Sequence, residues 1–170
     1  MTLGGKRIRP TLVILSYSMF KNDLSKVVNQ ATAIESFHNF TLIHDDIMDK
    51  APLRRGKETV HTKWNVNVGI LSGDALLIKS YQQLLKGLSQ EHILPVMELF
   101  NTTAIEVCEG QQYDMDFESI DDVSVDDYIG MITLKTAVLL GAALKLGSII
   151  GDASEEDKFN IYEFGKNIGI

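Results

Sequence analysis

Two charge clusters in this 170-residue chain stand where helix electrostatics disfavour them. Gly4-Gly5-Lys6-Arg7-Ile8-Arg9-Pro10 puts three cations just before a predicted helix N-terminus. Asp45-Asp46-Ile47-Met48-Asp49 puts three carboxylates near a predicted helix C-terminus. The helix dipole favours the opposite arrangement by about 0.3–1 kcal/mol per charge. Asp45 and Asp49 are i,i+4 neighbours on one helix face. Two carboxylates one turn apart can ligate a hard cation such as Mg²⁺, which keeps waters and shares phosphate oxygens. Asp46 projects about 100° away from Asp45 and reads as an outer ligand. His38 and Thr41 precede Asp45 on nearly the same face.

The glycine-rich segment suits an anion. Free backbone N–H groups at a helix start attract negative charge. Lys6 and Arg9 add full charges, and the glycines let the backbone approach a ligand closely. A phosphate or diphosphate would fit; a solvated basic turn is the plainer alternative. Arg54-Arg55-Gly56-Lys57 follows the acidic cluster within one loop. It either neutralises that cluster or, with Mg²⁺ on the carboxylates, forms a second place for diphosphate oxygens. Lys135 and Thr136 lie in an apolar stretch with Ile132, Val138 and Leu139. A lysine there needs an anion or a route to water. Gln111 and Asp114 form an i,i+3 polar facet near the end of another helix. Asp74, a lone carboxylate among apolar residues, reads as structural.

These residues need rigid elements to hold them, and the apolar period is helical almost throughout. Helices are predicted with Pro10 in the first turn of one running to about Phe20, and over about Leu24 to Asp49, Val66 to Leu88, Ile93 to Asp114 and Ser124 to Ile150, with Pro95 in a first turn. A sixth opens at Ser154. Ser124 with Asp127, and Ser154 with Asp157, read as N-cap pairs. Ala51–Glu58 reads as a loop. No repeat, low-complexity segment or domain linker interrupts the pattern, so a single all-α domain is expected.

Apolar residues at 45% and charged residues at 23% fit a globular chain. The longest stretch free of Asp, Glu, Lys and Arg is the 11 residues Pro10–Phe20, so no transmembrane segment is expected. With no signal-peptide pattern at the start and Cys108 the single cysteine, a cytoplasmic location is expected. The net charge of −7 argues against nucleic acid. Its distribution is uneven. Residues 1–86 carry 12 basic and 7 acidic side chains; residues 87–170 carry 4 basic and 16 acidic. Such a chain can build a site that takes anions on one side and cations on the other.

Taken in order, GGKRIRP, LIHDDIMD, RRGKETVHTKW, GDALL, EGQQYDMDFE and TLKT resemble the trans-isoprenyl diphosphate synthases, the polyprenyl synthetase family, over essentially the whole chain from Gly4 to Ile170. The resemblance implies an all-α antiparallel bundle of the isoprenoid synthase type around a central cavity, present here as a fragment. It also implies a homodimer at full length. The implied activity is Mg²⁺-assisted prenyl transfer from an allylic diphosphate (dimethylallyl, geranyl or farnesyl) to isopentenyl diphosphate. By position, Asp45 and Asp49 resemble the family's magnesium ligands, with Asp46 beside them. Arg54 resembles the contact to the allylic diphosphate. Lys6, Arg9, His38 and Arg55 resemble the isopentenyl diphosphate pocket. Lys135 resembles a further diphosphate contact and catalytic cation, with Thr136 at its side, and Gln111 and Asp114 resemble the facet opposite. Phe40, with Thr41, resembles the residue that floors the cavity and limits the product, here to farnesyl or geranylgeranyl diphosphate.

Both ends of the chain read as cuts: the family's first helices and second Asp-rich motif are absent from residues 1–170. The piece alone is therefore expected to be weakly active or inactive. Three other readings compete. A class I terpene cyclase would need one diphosphate site rather than two. A non-catalytic partner subunit often loses the Asp-rich motif kept here. A plain helical interaction module would leave the misplaced charges unexplained.

Overall fold

A computed structural model describes residues 5–170. Gly4, the first of the paired glycines, and Met1-Thr2-Leu3 before it lie outside the described residues. The first helix, α1 (Ile8–Ser18), follows Arg7, which turns the chain with φ 52° as its N-cap. Pro10 is then the third helical residue, where an N–H has no intrahelical acceptor to lose. The single helix expected over Leu24–Asp49 is split into a 3₁₀ turn, Leu24–Lys26, and α2 (Val28–Met48). The side chain of Asp23 caps the turn through the Ser25 amide.

The expected loop Ala51–Glu58 carries a small hairpin. Strands β1 (Leu53–Arg54) and β2 (Lys57–Glu58) pair antiparallel around Arg55 (φ 54°) and Gly56 (φ 74°). Two successive positive φ angles match the right-handed strand twist that a two-residue hairpin needs. A one-turn helix, α3 (Val60–Lys63), leads into α4 (Val66–Leu85), capped by the Asn65 side chain. Helix α5 runs from Gln90 to Phe117, three residues beyond expectation at each end, so Pro95 lies past its first turn.

The long helix expected from Ser124 is continuous but not uniform. It comprises α6 (Val125–Ile132), a π-helical stretch Thr133–Ala137 and α7 (Val138–Ile150). The last helix is α8 (Glu155–Gly169). At the start of α6 and of α8, Ser124 and Ser154 each accept the amide of the residue three further on, at 3.1 Å.

Helix α7 is the axis of packing. Every residue from Val138 to Leu144 and from Leu146 to Ile150 is buried, under α1, α5 and α8. Gly147 of α7 lets α1 approach closely: a Cβ there would collide with the Val13 carbonyl. Helix α2 pairs mainly with α4 and also touches α1. The core joins Val13 and Tyr17 of α1, Ile34 and Phe37 of α2, Leu84 of α4, Phe100 and Val107 of α5, and Leu139 and Leu146 of α7. By length and composition alone, Val125–Ile150 could cross a membrane, an 18-residue window within it having a mean hydropathy of 1.6. Its apolarity has a local cause, since 56% of that window is buried in the bundle and a helix buried on most sides is apolar on most sides.

Candidate functional site

The C-terminal end of α2 carries the acidic cluster to a rim shared with the hairpin, α5 and the π-helical stretch. Arg54, aimed by β1, grips two neighbouring carboxylates: its Nη2 donates to Asp45 Oδ2 at 2.8 Å and its Nε to Asp46 Oδ1 at 2.6 Å. Asp46 is buried. From the other side, Lys135 Nζ reaches Asp114 Oδ2 at 2.5 Å and Asp45 Oδ1 at 3.1 Å. Burial alone would lower the Lys135 pKa, but the contacts with Asp114 and Asp45 outweigh it and hold it above the usual lysine value. The anion that Lys135 needs inside its apolar stretch is thus a pair of carboxylates. The close approach is made at Gly110 of α5, where a Cβ would run into the Lys135 backbone. The π-turn inserts one extra residue at this crossing, and such insertions gather at functional sites.

A basic basin adjoins the rim. It is lined by Gly5, Lys6, Arg7, Ile8, Arg9, Glu35, His38 and Arg55, and encloses about 480 Å³. Arg9 Nη1 donates to His38 Nε2 at 3.1 Å, so that nitrogen accepts and the ring is neutral. Burial first, then the charges of Arg9, Arg55, Arg54 and Arg7, push the His38 pKa down to about 3. Burial likewise lowers the Arg9 pKa, with Glu35 pulling the other way. Glu35 is buried, pairs with Arg7 and bonds the Asn39 side chain.

Arg9 and His38 also line an apolar cavity of about 250 Å³ that begins at the rim. Phe40, Thr41, Met48, Val107, Met115 and Leu139 supply its walls. Lys135, Thr136, Gln111 and Asp45 stand at its charged end. The structure therefore brings the sequence-predicted residues of rim, basin and cavity wall to one side of the bundle. Asp74 is exposed instead, with its carboxylate 3.8 Å from His44 Nε2.

Asp49 ends α2 exposed at the rim. Partial burial and then the charge of Asp45 raise its carboxyl pKa, which Lys135 only partly offsets. Asp45 Oδ1 is buried, and the Lys135 ammonium is its ion-pair partner. Around it, Asp45, Asp46, Asp49 and Asp114 face Arg54 and Lys135, so the rim is short of positive charge. An oxygen-only donor set in which carboxylates outnumber cations fits a hard divalent cation.

Three features escaped the sequence reading. Glu35 is a lone carboxylate between Ile34 and Phe37; a buried charge demands a partner, and that signal was available. The π-turn and the ring contacts of His44 on α4 left no mark in the pattern of residue types.

The sequence profile described as polyprenyl synthetase matches residues 1–170. The chain is 44% identical over 168 residues to a geranylgeranyl diphosphate synthase of Methanosarcina mazei, covering 98% of this chain and 52% of that protein. A crystal structure of a geranylgeranyl pyrophosphate synthase superposes with TM-score 0.95 at 52% identity, covering 99% of this chain and 51% of its own. A decaprenyl diphosphate synthase from Rhodobacter capsulatus superposes with TM-score 0.91 at 29% identity, covering 99% and 51%. The chain spans about half the length of the curated relatives it matches.

Proposed function

The chain belongs to the polyprenyl synthetase family, and on that premise we propose that, as part of a complete synthase, it joins an allylic diphosphate to isopentenyl diphosphate. These 170 residues are then a partial isoprenoid synthase domain. The observation that supports the reading is the meeting of two oppositely biased regions on one apolar cavity: a rim with surplus carboxylate and a basin with surplus cation. A cyclase has one diphosphate to hold, whereas this arrangement has a place for two.

Asp45 and Asp49 would hold Mg²⁺ at the rim, with Asp46 kept beside them by Arg54. When bound, Mg²⁺ supplies electrostatic stabilisation of the departing diphosphate. Arg54 and Lys135, now on carboxylates, are within reach of the same anion, and Gln111 and Thr136 offer it polar contacts. Lys6, Arg9, His38 and Arg55 hold isopentenyl diphosphate in the basin. The allylic C–O bond breaks and its electron pair leaves with the diphosphate. The double bond of isopentenyl diphosphate supplies the pair for the new C–C bond, and a proton lost from the adjacent carbon restores a double bond. The apolar cavity keeps water from the allylic cation. Phe40 and Thr41 limit the room for the growing chain, to a farnesyl or geranylgeranyl product. Geranylgeranyl and decaprenyl synthases share this fold closely, which supports a length set by such local side chains rather than by the bundle.

The test is an assay of the polypeptide extended to its relatives' full length, with Mg²⁺, labelled isopentenyl diphosphate and each allylic starter in turn. Label entering a longer prenyl diphosphate only when both substrates are present is the expected result. Hydrocarbon released from farnesyl diphosphate alone would establish a cyclase instead.

A further inference from the structure

The wall at Phe40 is backed by a second ring. His44, one turn further along α2, meets Phe40 edge to face with ring centroids 4.9 Å apart, and both side chains line the cavity. On its far side the His44 ring enters a notch in α4. Its Nε2 donates to the Ile70 carbonyl at 3.1 Å, and the notch exists because residue 73 is glycine. A Cβ at Gly73 would overlap the imidazole at Nε2 and Cδ2. The carbonyl can only accept, so the ring's proton sits on Nε2 and its orientation is set.

We propose that His44, seated in the Gly73 notch, is a positioning residue that fixes how far Phe40 projects into the cavity and thereby sets product length. The inference rests on the reading of the cavity as the place where the prenyl chain grows. Phe40 is only half-buried and touches Phe37 on one side at 5.6 Å and His44 on the other. With the His44 ring removed, space opens towards α4 and Phe40 swings back, lengthening the cavity. With a methyl group in the notch, the ring is driven off α4 towards Phe40 and the cavity, shortening it. Packed interiors transmit such displacements because few voids are available to absorb them.

The experiment compares product distributions of the full-length enzyme, at matched conversion, for the parent, Phe40→Ala, His44→Ala, Gly73→Ala and the His44→Ala/Gly73→Ala double variant. The expected pattern is a main product at least one five-carbon unit longer for His44→Ala and a shift to shorter product for Gly73→Ala. The double variant should follow His44→Ala, since the methyl group acts only through the ring. A loss of helix packing alone would slow turnover without moving length in opposite directions. If Phe40→Ala leaves the length unchanged, the chain-growth reading itself fails. If Phe40→Ala lengthens the product while the His44 and Gly73 variants keep the parent distribution, the positioning role is overturned. Should Gly73→Ala not fold, His44→Ala and His44→Asn decide: parent-length product from both overturns it.

Discussion

The rim and the basin lie side by side on α2, yet they balance charge in opposite ways. At the rim, Asp45, Asp46 and Asp114 are already engaged by Arg54 and Lys135, and the surplus is negative. In the basin, Lys6, Arg7, Arg9 and Arg55 share one lining carboxylate, Glu35, and the surplus is positive. A diphosphate can therefore enter the basin on its own charge. On the proposed reading it arrives at the rim with a cation, because carboxylates and phosphate repel one another and the existing ion pairs have to be exchanged. Neutral His38 stands at the border, lending an acceptor to Arg9 without adding a fifth charge.

Four measurements would break or sharpen that contrast. The largest effect is expected from Asp45→Asn, which removes the carboxylate shared by Arg54 and Lys135. Turnover of the full-length enzyme should fall by about 10³-fold, typical for loss of a group that stabilises developing charge. A rate within tenfold of the parent would remove Asp45 from the centre of the rim. Next, Arg9→Gln should raise the KM for isopentenyl diphosphate about 10- to 100-fold, the usual worth of a charge-assisted contact. The KM for the allylic substrate should stay near the parent value; equal changes in both would mean that the two regions do not divide the substrates.

A smaller effect concerns acid. Because the folded pKa of His38 is depressed to about 3 while the unfolded chain keeps about 6.5, its contribution to stability is complete above pH 6.5. That contribution is lost as the pH falls towards 3, since the unfolded chain takes up the proton first. Thermal melting should therefore decline more steeply between pH 7 and pH 4 in the parent than in His38→Gln; parallel declines would show that the ring is not held neutral. The smallest effect is a control away from both regions. Ser154→Ala removes the α8 cap and should cost about 1 kcal/mol of stability in chemical unfolding. Neither KM should change, and a change in either would mean that loss of stability alone moves the substrate contacts.

Much of this was legible from residue types. The i,i+4 spacing of Asp45 and Asp49, the cations at Lys6 and Arg9, and the caps at Ser124 and Ser154 follow from local rules: helical period, dipole and capping chemistry. These rules act within about one turn, so they survive without knowledge of the fold. Local rules also mislead at edges. Pro95 reads as a first-turn residue, yet α5 begins at Gln90 and carries it past that turn. The hairpin at Arg54 reads as loop in the sequence because its strands are two residues long and have no periodicity to show.

Composition and spacing alone specified a helical chain with charges that helix stability does not explain, and the types of ligand those charges could meet. Which charges meet each other was settled by packing. Lys135 reaches Asp45 across 90 residues of sequence because Gly110 lets α5 lie against the π-turn. His44 reaches Phe40 and Gly73 together because α2 and α4 pack face to face. Long-range contacts depend on how whole helices stack, and no short window of residues carries that information.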